Sequence, residues 1–131
     1  MQQRRKVRSF EDLLVWQMGI ELVKRIYRVT TEGDFSRDFG LKDQILRASV
    51  SVPTNIAEGF ELSSRKEYLK FLNIAKGSAG EVRSLLRVAW EIGYIESTQR
   101  GAQRCNYETQ RISLQPHEEH LGRSQVILRG R

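Results

Sequence analysis

The sequence contains little cysteine, proline or histidine, and it has no long apolar run. Cys105 is the single cysteine among 131 residues, so the chain cannot form an internal disulfide, as is typical of proteins in a reducing cytosol. No apolar stretch approaches the ~20 residues of a membrane span, and no apolar signal-peptide core follows the basic N-terminus. With only two prolines and many helix-forming residues, we expect an all-α cytoplasmic protein that has no contact with membranes.

Motifs that carry chemistry are also missing. The sequence has no P-loop, no glycine-rich dinucleotide turn and no HExxH zinc motif. His117 and His120 lie in a segment without regular pattern, so we predict that they and Cys105 hold no metal. Arg111 and His117 are spaced like the Arg–His pairs of some helical-bundle ribonucleases, which makes a ribonuclease one alternative function. Pro116 lies between them, although such a pair needs rigid placement. We therefore expect that the protein is not an enzyme and that it uses no cofactor and no small-molecule substrate.

What the sequence does contain is helical periodicity, strongest in residues 41–60. At 100° per residue, the apolar side chains of this stretch fill one half of the helix circumference. Pro53 lies inside the predicted helix, where a proline removes a hydrogen bond and costs about 3 kcal/mol. The opposite half is polar but mostly uncharged. Its side chains either satisfy loop or neighbouring-helix backbone groups or form a polar self-association surface, and they include Gln44, Arg47, Ser51, Asn55 and Glu58.

The same periodicity predicts a helix before this stretch and a long one after it. The first begins at Ser9 and ends near Thr30. Its predicted buried stripe consists of Leu13, Trp16, Ile20, Val23 and Tyr27, and it is broadened by Leu14, Met18 and Ile26. The central helix covers 41–59. The later helix covers 65–92, opens with a Ser64–Glu67 capping box and stops at Gly93. Its predicted apolar arc consists of Tyr68, Phe71, Leu72, Ala75, Ala79, Val82, Leu85, Leu86, Ala89 and Trp90. Small residues at 77–80 would let another helix approach it closely.

A fourth helix, from Ser97 to about Gln115, is predicted with less regularity. Its apolar stripe is thin, and Pro116 ends it. Four helices joined by short loops predict an antiparallel up-and-down four-helix bundle whose fourth helix is short or irregular. We therefore divide the chain into a basic arm (1–8), a four-helix bundle (9–115) and a loose, irregular C-terminal tail (116–131).

Positive charge suggests which partners the chain could bind. The net charge is +6 and the pI is about 9.8, which permits contact with nucleic acid without specifying it. Four basic residues lie in the arm, and three more form a ladder along the third helix. For both groups, an ordinary solvated surface is the alternative to phosphate binding. The candidate nucleic-acid contacts are Arg4, Arg5, Lys6, Arg8, Lys76, Arg83 and Arg87.

Three stretches of the chain carry a family resemblance. Residues 44–59 are similar to the pattern Gln-Ile-Arg-Arg-Ala-x-x-Ser-Ile-Pro-x-Asn-Ile-Ala-Glu-Gly, with Leu46 in place of the first Arg. Residues 71–81 match Phe-Leu-x-Ile-Ala-x-Gly-Ser-x-x-Glu, and residues 10–16 match Phe-x-x-Leu-x-Val-Trp. Residues 9–96 thus resemble the small four-helix bundle proteins of bacteria, some encoded in intervening sequences of large-subunit ribosomal RNA genes. The motif residues singled out are Gln44, Arg47, Ser51, Pro53, Asn55, Glu58, Gly59, Gly77, Ser78 and Glu81.

The resemblance implies a four-helix bundle without established biochemical activity. Related proteins assemble as pentameric rings, and a distant relative is the basic, pentameric accessory protein of diversity-generating retroelements, which works with a reverse transcriptase and nucleic acid. We therefore expect a non-enzymatic homo-oligomer, a pentamer by resemblance, that binds RNA, DNA or a nucleoprotein partner. A protein-interaction scaffold without nucleic acid is the alternative. The family pattern is lost after Gln115, so residues 114–131 are either a diverged or a frame-shifted end.

Overall fold

The computed structural model describes residues 6–62 and 64–96. Within them the chain forms three long helices and no strand, which confirms the all-α class. The helices are α1 (Leu14–Thr30), α2 (Phe39–Glu61) and α3 (Arg65–Glu91), accompanied by 3₁₀ turns at Phe10–Asp12 and Gly33–Arg37. The predicted fourth helix, the C-terminal tail and the arm residues Arg4 and Arg5 lie outside the described residues.

The central helix is α2, which packs against both α1 and α3, whereas α1 and α3 make few direct contacts with each other. Contacts along the helices show that neighbours run antiparallel: Gly19 of α1 faces Pro53 of α2, and Gly59 of α2 faces Phe71 of α3. Two ends follow from this topology. We call residues 6–13, 61–62 and 64–70 the arm end, and residues 31–38 and 91–96 the loop end.

The first helix begins later than predicted, at Leu14 instead of Ser9. Ser9 opens a 3₁₀ turn, in which the Asp12 carboxylate accepts hydrogen bonds from the backbone N–H groups of Arg8 and Ser9, at 2.9 and 3.2 Å. Leu13 then has extended backbone, with ψ of 126°, which separates the turn from α1. Asp12 therefore stabilises a tight turn ahead of the helix.

The second helix begins two residues before its predicted start. The side chain of Asp38 accepts a hydrogen bond from the backbone N–H of Leu41 at 3.1 Å, so Asp38 is the N-cap and Phe39 the first helical residue. The helix also runs two residues past Gly59, to Glu61. Pro53 does not interrupt it.

The predicted limits of α3 are close to those observed. The backbone N–H of Glu67 donates to the Ser64 hydroxyl at 3.3 Å, as the capping box requires on that side. The helix ends at Glu91, one residue before its predicted end, and Gly93 follows with φ of +83°. Such a φ is strained for any residue with a β-carbon, so glycine suits the turn. Ile95 then folds back and is buried.

The buried side of α1 agrees only in part with the predicted stripe. The residues that α1 buries are Val15, Met18, Gly19, Leu22, Ile26 and Thr30. Of the predicted stripe, Leu13, Met18 and Ile26 are buried and Trp16, Ile20 and Val23 are half-buried, whereas Leu14 and Tyr27 are 43% and 49% exposed. The apolar arc of α1 is wider than the part that the core covers. Periodicity locates such an arc, but it does not show which part of the arc faces the neighbouring helix.

The predicted apolar arcs of α2 and α3 agree better with the structure. In α3, every member of the arc is buried except Phe71, which is half-buried, and Trp90, which is 40% exposed. In α2, Ile45, Val52 and Ile56 are fully buried, and Val50 is 41% exposed. Each fully buried aliphatic side chain contributes about 1.5–3 kcal/mol, so this shared core holds α2 and α3 together.

Candidate functional site

The two longer motif stretches meet where α2 packs against α3. The hydroxyl oxygens of Ser51 and Ser78 lie 2.8 Å apart. Asn55 Nδ2 donates to the backbone carbonyl of Ser51 at 2.7 Å and to its hydroxyl oxygen at 2.9 Å. Gln44 Nε2 lies 3.5 Å from a carboxylate oxygen of Glu81, a long hydrogen bond. We call Gln44, Ser51, Asn55, Ser78 and Glu81 the polar seam.

The seam joins the two helices by hydrogen bonds within one chain. Ser51, Asn55 and Ser78 are half-buried and satisfy one another and a carbonyl of α2, as polar groups removed from water must. This arrangement supports the interpretation that the polar half of the central helix satisfies groups inside the chain. Gln44 and Glu81 are exposed. The alternative, a polar self-association surface, stays a prediction.

The proline of the motif has a direct neighbour in α1. A β-carbon at Gly19 would lie 3.2 Å from Cβ and 3.3 Å from Cδ of Pro53, so glycine leaves room for the proline ring. Around the proline, two side chains bond to backbone carbonyls: Thr54 Oγ1 donates to Val50 at 2.7 Å, and Asn55 donates to Ser51 as above. These bonds lie in the turn that Pro53 disturbs.

Glycine has a different role at each motif position. A β-carbon at Gly59 would lie 2.6 Å from Cβ of Phe71, closer than two such atoms ever lie. Gly59 therefore lets α3 approach α2. At Gly77, no described atom outside the adjoining residues and the surrounding helix backbone lies within 4 Å of the corresponding position. Close approach at the predicted small-residue run thus involves Ser78 and the fully buried Ala79, and not the exposed Gly77.

The remaining motif charges lie on the solvent side of α2. Arg47 Nε pairs with Asp43 at 3.0 Å, and their side chains are 80% and 64% exposed. Glu58 is exposed as well. An exposed pair of this kind contributes about 0–1 kcal/mol, so these charges add little to the fold and do not join the polar seam.

The candidate basic residues occupy two separate places. Lys6 and Arg8 are exposed at the arm end, whereas Lys76, Arg83 and Arg87 are exposed along the middle and the end of α3. The Arg87 guanidinium pairs with Glu91 at 2.7 Å and lies 4.1 Å from the ring centre of Trp90. Because Glu91 already neutralises it locally, Arg87 offers less positive charge to a phosphate than its position in the sequence implied.

A contact that sequence reasoning did not find joins the segment after α3 to the start of α2. The hydroxyl of Tyr94 donates to Asp38 Oδ2 at 2.9 Å, and the Tyr94 ring lies 5.5 Å from that of Phe35. The hydrogen bond to Asp38, together with burial and the nearby negative charge, raises the pKa of Tyr94 above its ordinary value. The capping role of Asp38 was readable from an acidic residue before a helix, but its tyrosine partner, 56 residues away, was not.

An open groove of about 510 Å³ runs along the outer side of α1 and α2. Its lining combines apolar and polar side chains: Tyr27, Asp43, Leu46, Arg47, Val50, Ser51, Thr54 and Asn55. Val23 lies one helical turn before Tyr27 on the same face of α1. We call Val23, Tyr27, Leu46 and Val50 the outer apolar surface. Tyr27 and Val50 are 49% and 41% exposed.

Metal-binding clusters and membrane-spanning helices are both absent from the part of the chain that the structure describes. There, no group of three or more His, Cys, Asp or Glu side chains could hold a metal ion. None of the helices in residues 6–62 and 64–96 is long and apolar enough to cross a membrane. The residues considered for metal binding and for a ribonuclease, Cys105, Arg111, His117 and His120, lie outside the described residues.

The fold and the seam define a small all-α protein in which a proline-containing central helix holds its two neighbours. The family model described as "23S rRNA-intervening sequence protein" matches residues 11–114. The chain belongs to this family, which confirms the resemblance drawn from the motif stretches.

A solved structure has a similar fold. It is a protein of unknown function from the S23 ribosomal protein family of Bacteroides thetaiotaomicron VPI-5482. The two sequences are 27% identical, and the TM-score is 0.67. The match covers 76% of this chain and 92% of that chain. None of the curated proteins compared with the chain matches it.

Proposed function

We propose that this protein is a non-enzymatic helical bundle that associates with itself and binds nucleic acid or a nucleoprotein partner. The observation that carries the proposal is the outer apolar surface, which the described residues leave uncovered although α1 and α2 both continue their apolar arcs onto it. A net charge of +6 supports a polyanionic partner. The solved relative adds no activity, since it is itself described as having unknown function.

The bundle is completed, in this proposal, by a fourth helix over residues 97–115. Both α1 and α3 pack against α2 but make few contacts with each other, and in a four-helix bundle the fourth helix lies beside the first and third. Proline inside that helix, as in Ala102→Pro, should lower helical content and cost about 3 kcal/mol. His120→Pro, in the predicted tail, is the control. Equal effects of the two substitutions on the circular dichroism spectrum would contradict a fourth helix.

Self-association is proposed to use the outer apolar surface, occupied by a second copy of the chain. Light scattering should give a closed homo-oligomer, and the resemblance suggests five chains of 15.2 kDa. Val50→Glu should shift the population towards monomer, because it places a charge in an apolar contact. Ile74→Glu is the matched control, since Ile74 is 43% exposed but lies on α3. A wild type that is monomeric at micromolar concentration would contradict this proposal. The outer apolar surface would then be covered by residues outside the described part or would stay uncovered.

Nucleic-acid binding should weaken steeply as salt increases, because each phosphate contact releases counterions. Fluorescence anisotropy with labelled RNA and DNA, titrated at several salt concentrations, measures this slope. An affinity that stays flat would favour a protein-interaction scaffold, as would a pull-down that recovers protein without nucleic acid. The same RNA, incubated and run on a gel, tests the non-enzymatic part of the proposal. Cleavage that His117→Ala abolishes would overturn that part.

A further inference from the structure

The excess positive charge is unevenly distributed along the chain. Residues 6–62 and 64–96 contain 14 lysines and arginines against 13 aspartates and glutamates, a net charge of +1. Residues 1–5 and 97–131 contain eight against three, a net charge of +5, and all eight are arginines. The helices are therefore close to neutral as a body. The placement of their charges, more than their number, decides where a polyanion can approach.

The two ends of the helical body differ in charge. The loop end holds one basic and five acidic residues, a net charge of −4: Arg37 against Glu32, Asp34, Asp38, Glu91 and Glu96. The arm end holds five basic and four acidic residues, a net charge of +1, and Arg4 and Arg5 directly precede it in the chain. At physiological salt, exposed charges act over about 8 Å. A phosphate near the loop end is therefore repelled locally, whatever the net charge of the chain.

The basic ladder on α3 extends towards the unfavourable end. Lys76 lies in the middle of α3, and Arg87 lies one turn before Glu91, which pairs with it at 2.7 Å. Glu96 follows shortly after. At the opposite end of α3, Lys66 and Lys70 are exposed within the first two turns. Their side of the molecule is also the one on which the arm begins.

We infer that the phosphate backbone of nucleic acid binds at the arm end and not along the α3 ladder. The inference rests on the nucleic-acid binding proposed above and adds its location. The described basic residues that contact phosphate in this arrangement are Lys6, Arg8, Arg65, Lys66 and Lys70. Arginine in the arm suits the contact, because a guanidinium can donate two parallel hydrogen bonds to a phosphate.

Two charge-matched variants of the full chain test the location. One neutralises the arm end (Arg8→Gln, Lys66→Gln and Lys70→Gln), and the other neutralises the ladder (Lys76→Gln, Arg83→Gln and Arg87→Gln). Each removes three exposed positive charges. The probes are a labelled single-stranded RNA and a duplex DNA, titrated between low and moderate salt. In the arm-end variant, the slope of log affinity against log salt should become shallower by about 2 for single strands and by nearly 3 for duplex. The ladder variant should keep the wild-type slope.

The outcomes distinguish a wrong location of the site from a failure of the proposed nucleic-acid binding. Equal losses in the two variants, or a larger loss in the ladder variant, overturn the arm-end site while nucleic-acid binding stands. No binding by the wild type overturns the proposed function, and the site with it. Circular dichroism and light scattering must match the wild type for both variants. Should the triple arm-end variant misfold, Lys66→Gln with Lys70→Gln alone should still lower the single-strand slope by about 1.4. The affinities of the two probes at equal salt show whether the protein prefers single-stranded RNA or duplex DNA.

Discussion

The contact between α2 and α3 and the contact between α1 and α2 are built differently. Between α2 and α3, a glycine permits close approach, a polar seam links the helices, and nearly the whole predicted apolar arc of α3 is buried. Between α1 and α2, a glycine again faces a bulky neighbour, Pro53, but part of each apolar arc stays at the surface. The first contact is completed inside the chain. The second continues onto a surface suited to another molecule.

The largest expected effect tests which side of α1 faces the core. Leu22 is fully buried, whereas Leu14 is 43% exposed. Leu22→Ala should lower the free energy of unfolding by about 2–5 kcal/mol, because it leaves a cavity. Leu14→Ala should change it by no more than about 0.5 kcal/mol. Urea unfolding of the two variants measures the difference, and equal losses would mean that the buried side has been misplaced.

The close approach of α3 to α2 predicts the next effect. Gly59→Ala should cost about 1–3 kcal/mol, because the new β-carbon would lie 2.6 Å from that of Phe71 and the helices would have to separate. Gly19→Ala should cost less, since the corresponding distance to Pro53 is 3.2 Å.

The control for both glycine substitutions is Gly77→Ala, where a β-carbon would meet no described atom of another helix within 4 Å. It should stabilise the protein by up to about 1 kcal/mol, through helix propensity alone. Thermal unfolding ranks the three variants. If Gly59→Ala were as stable as Gly77→Ala, the α2–α3 contact would be looser than described.

A smaller effect is expected from the polar seam. Ser78→Ala removes the partner of the Ser51 hydroxyl across the helix contact, and a net loss of about 0.5–1.5 kcal/mol is typical for one hydrogen bond. A double-mutant cycle with Ser51→Ala isolates the coupling between the two hydroxyls. A coupling near zero would indicate that the pair orients the helices without stabilising them.

The smallest effect concerns pH. The folded protein raises the pKa of Tyr94 above its ordinary value of 10.0, chiefly through the hydrogen bond to Asp38. The neutral phenol is thus favoured by folding, so its contribution to stability is complete below pH 10 and is lost as pH rises through the folded pKa. Unfolding between pH 8 and 11 should show this decline in the wild type and not in Tyr94→Phe. The same decline in both proteins would assign it to other groups.

Much of the helical framework could be predicted from periodicity and capping residues. Ser64 and Gly93 marked the limits of α3 to within one residue, because their roles depend on local backbone geometry. The faces were harder to predict. Both the predicted stripe of α1, centred on Ile20 and Val23, and the observed one, centred on Leu22, belong to one wide apolar arc, and only the position of α2 decides between them.

The candidate site divides in the same way. The motif stretches were recognisable one by one, but the bond between Ser51 and Ser78 depends on the register of two antiparallel helices, which no local pattern encodes. The pairing of Arg87 with Glu91 could have been predicted, since residues four apart on a helix are neighbours. The bond between Tyr94 and Asp38 could not be predicted in this way, because two helices, α2 and α3, separate these residues in the chain.

By itself, the sequence determined the helical class, the approximate limits of the helices and the family. These depend on the spacing of apolar side chains, on caps and on motif residues, all of which act over a few positions of the chain. Tertiary structure alone decided that α2 is central, that the motif stretches form one seam, and that the two ends of the body differ in charge. Each of these results from residues far apart in sequence being brought together, and such proximity follows from how the helices pack.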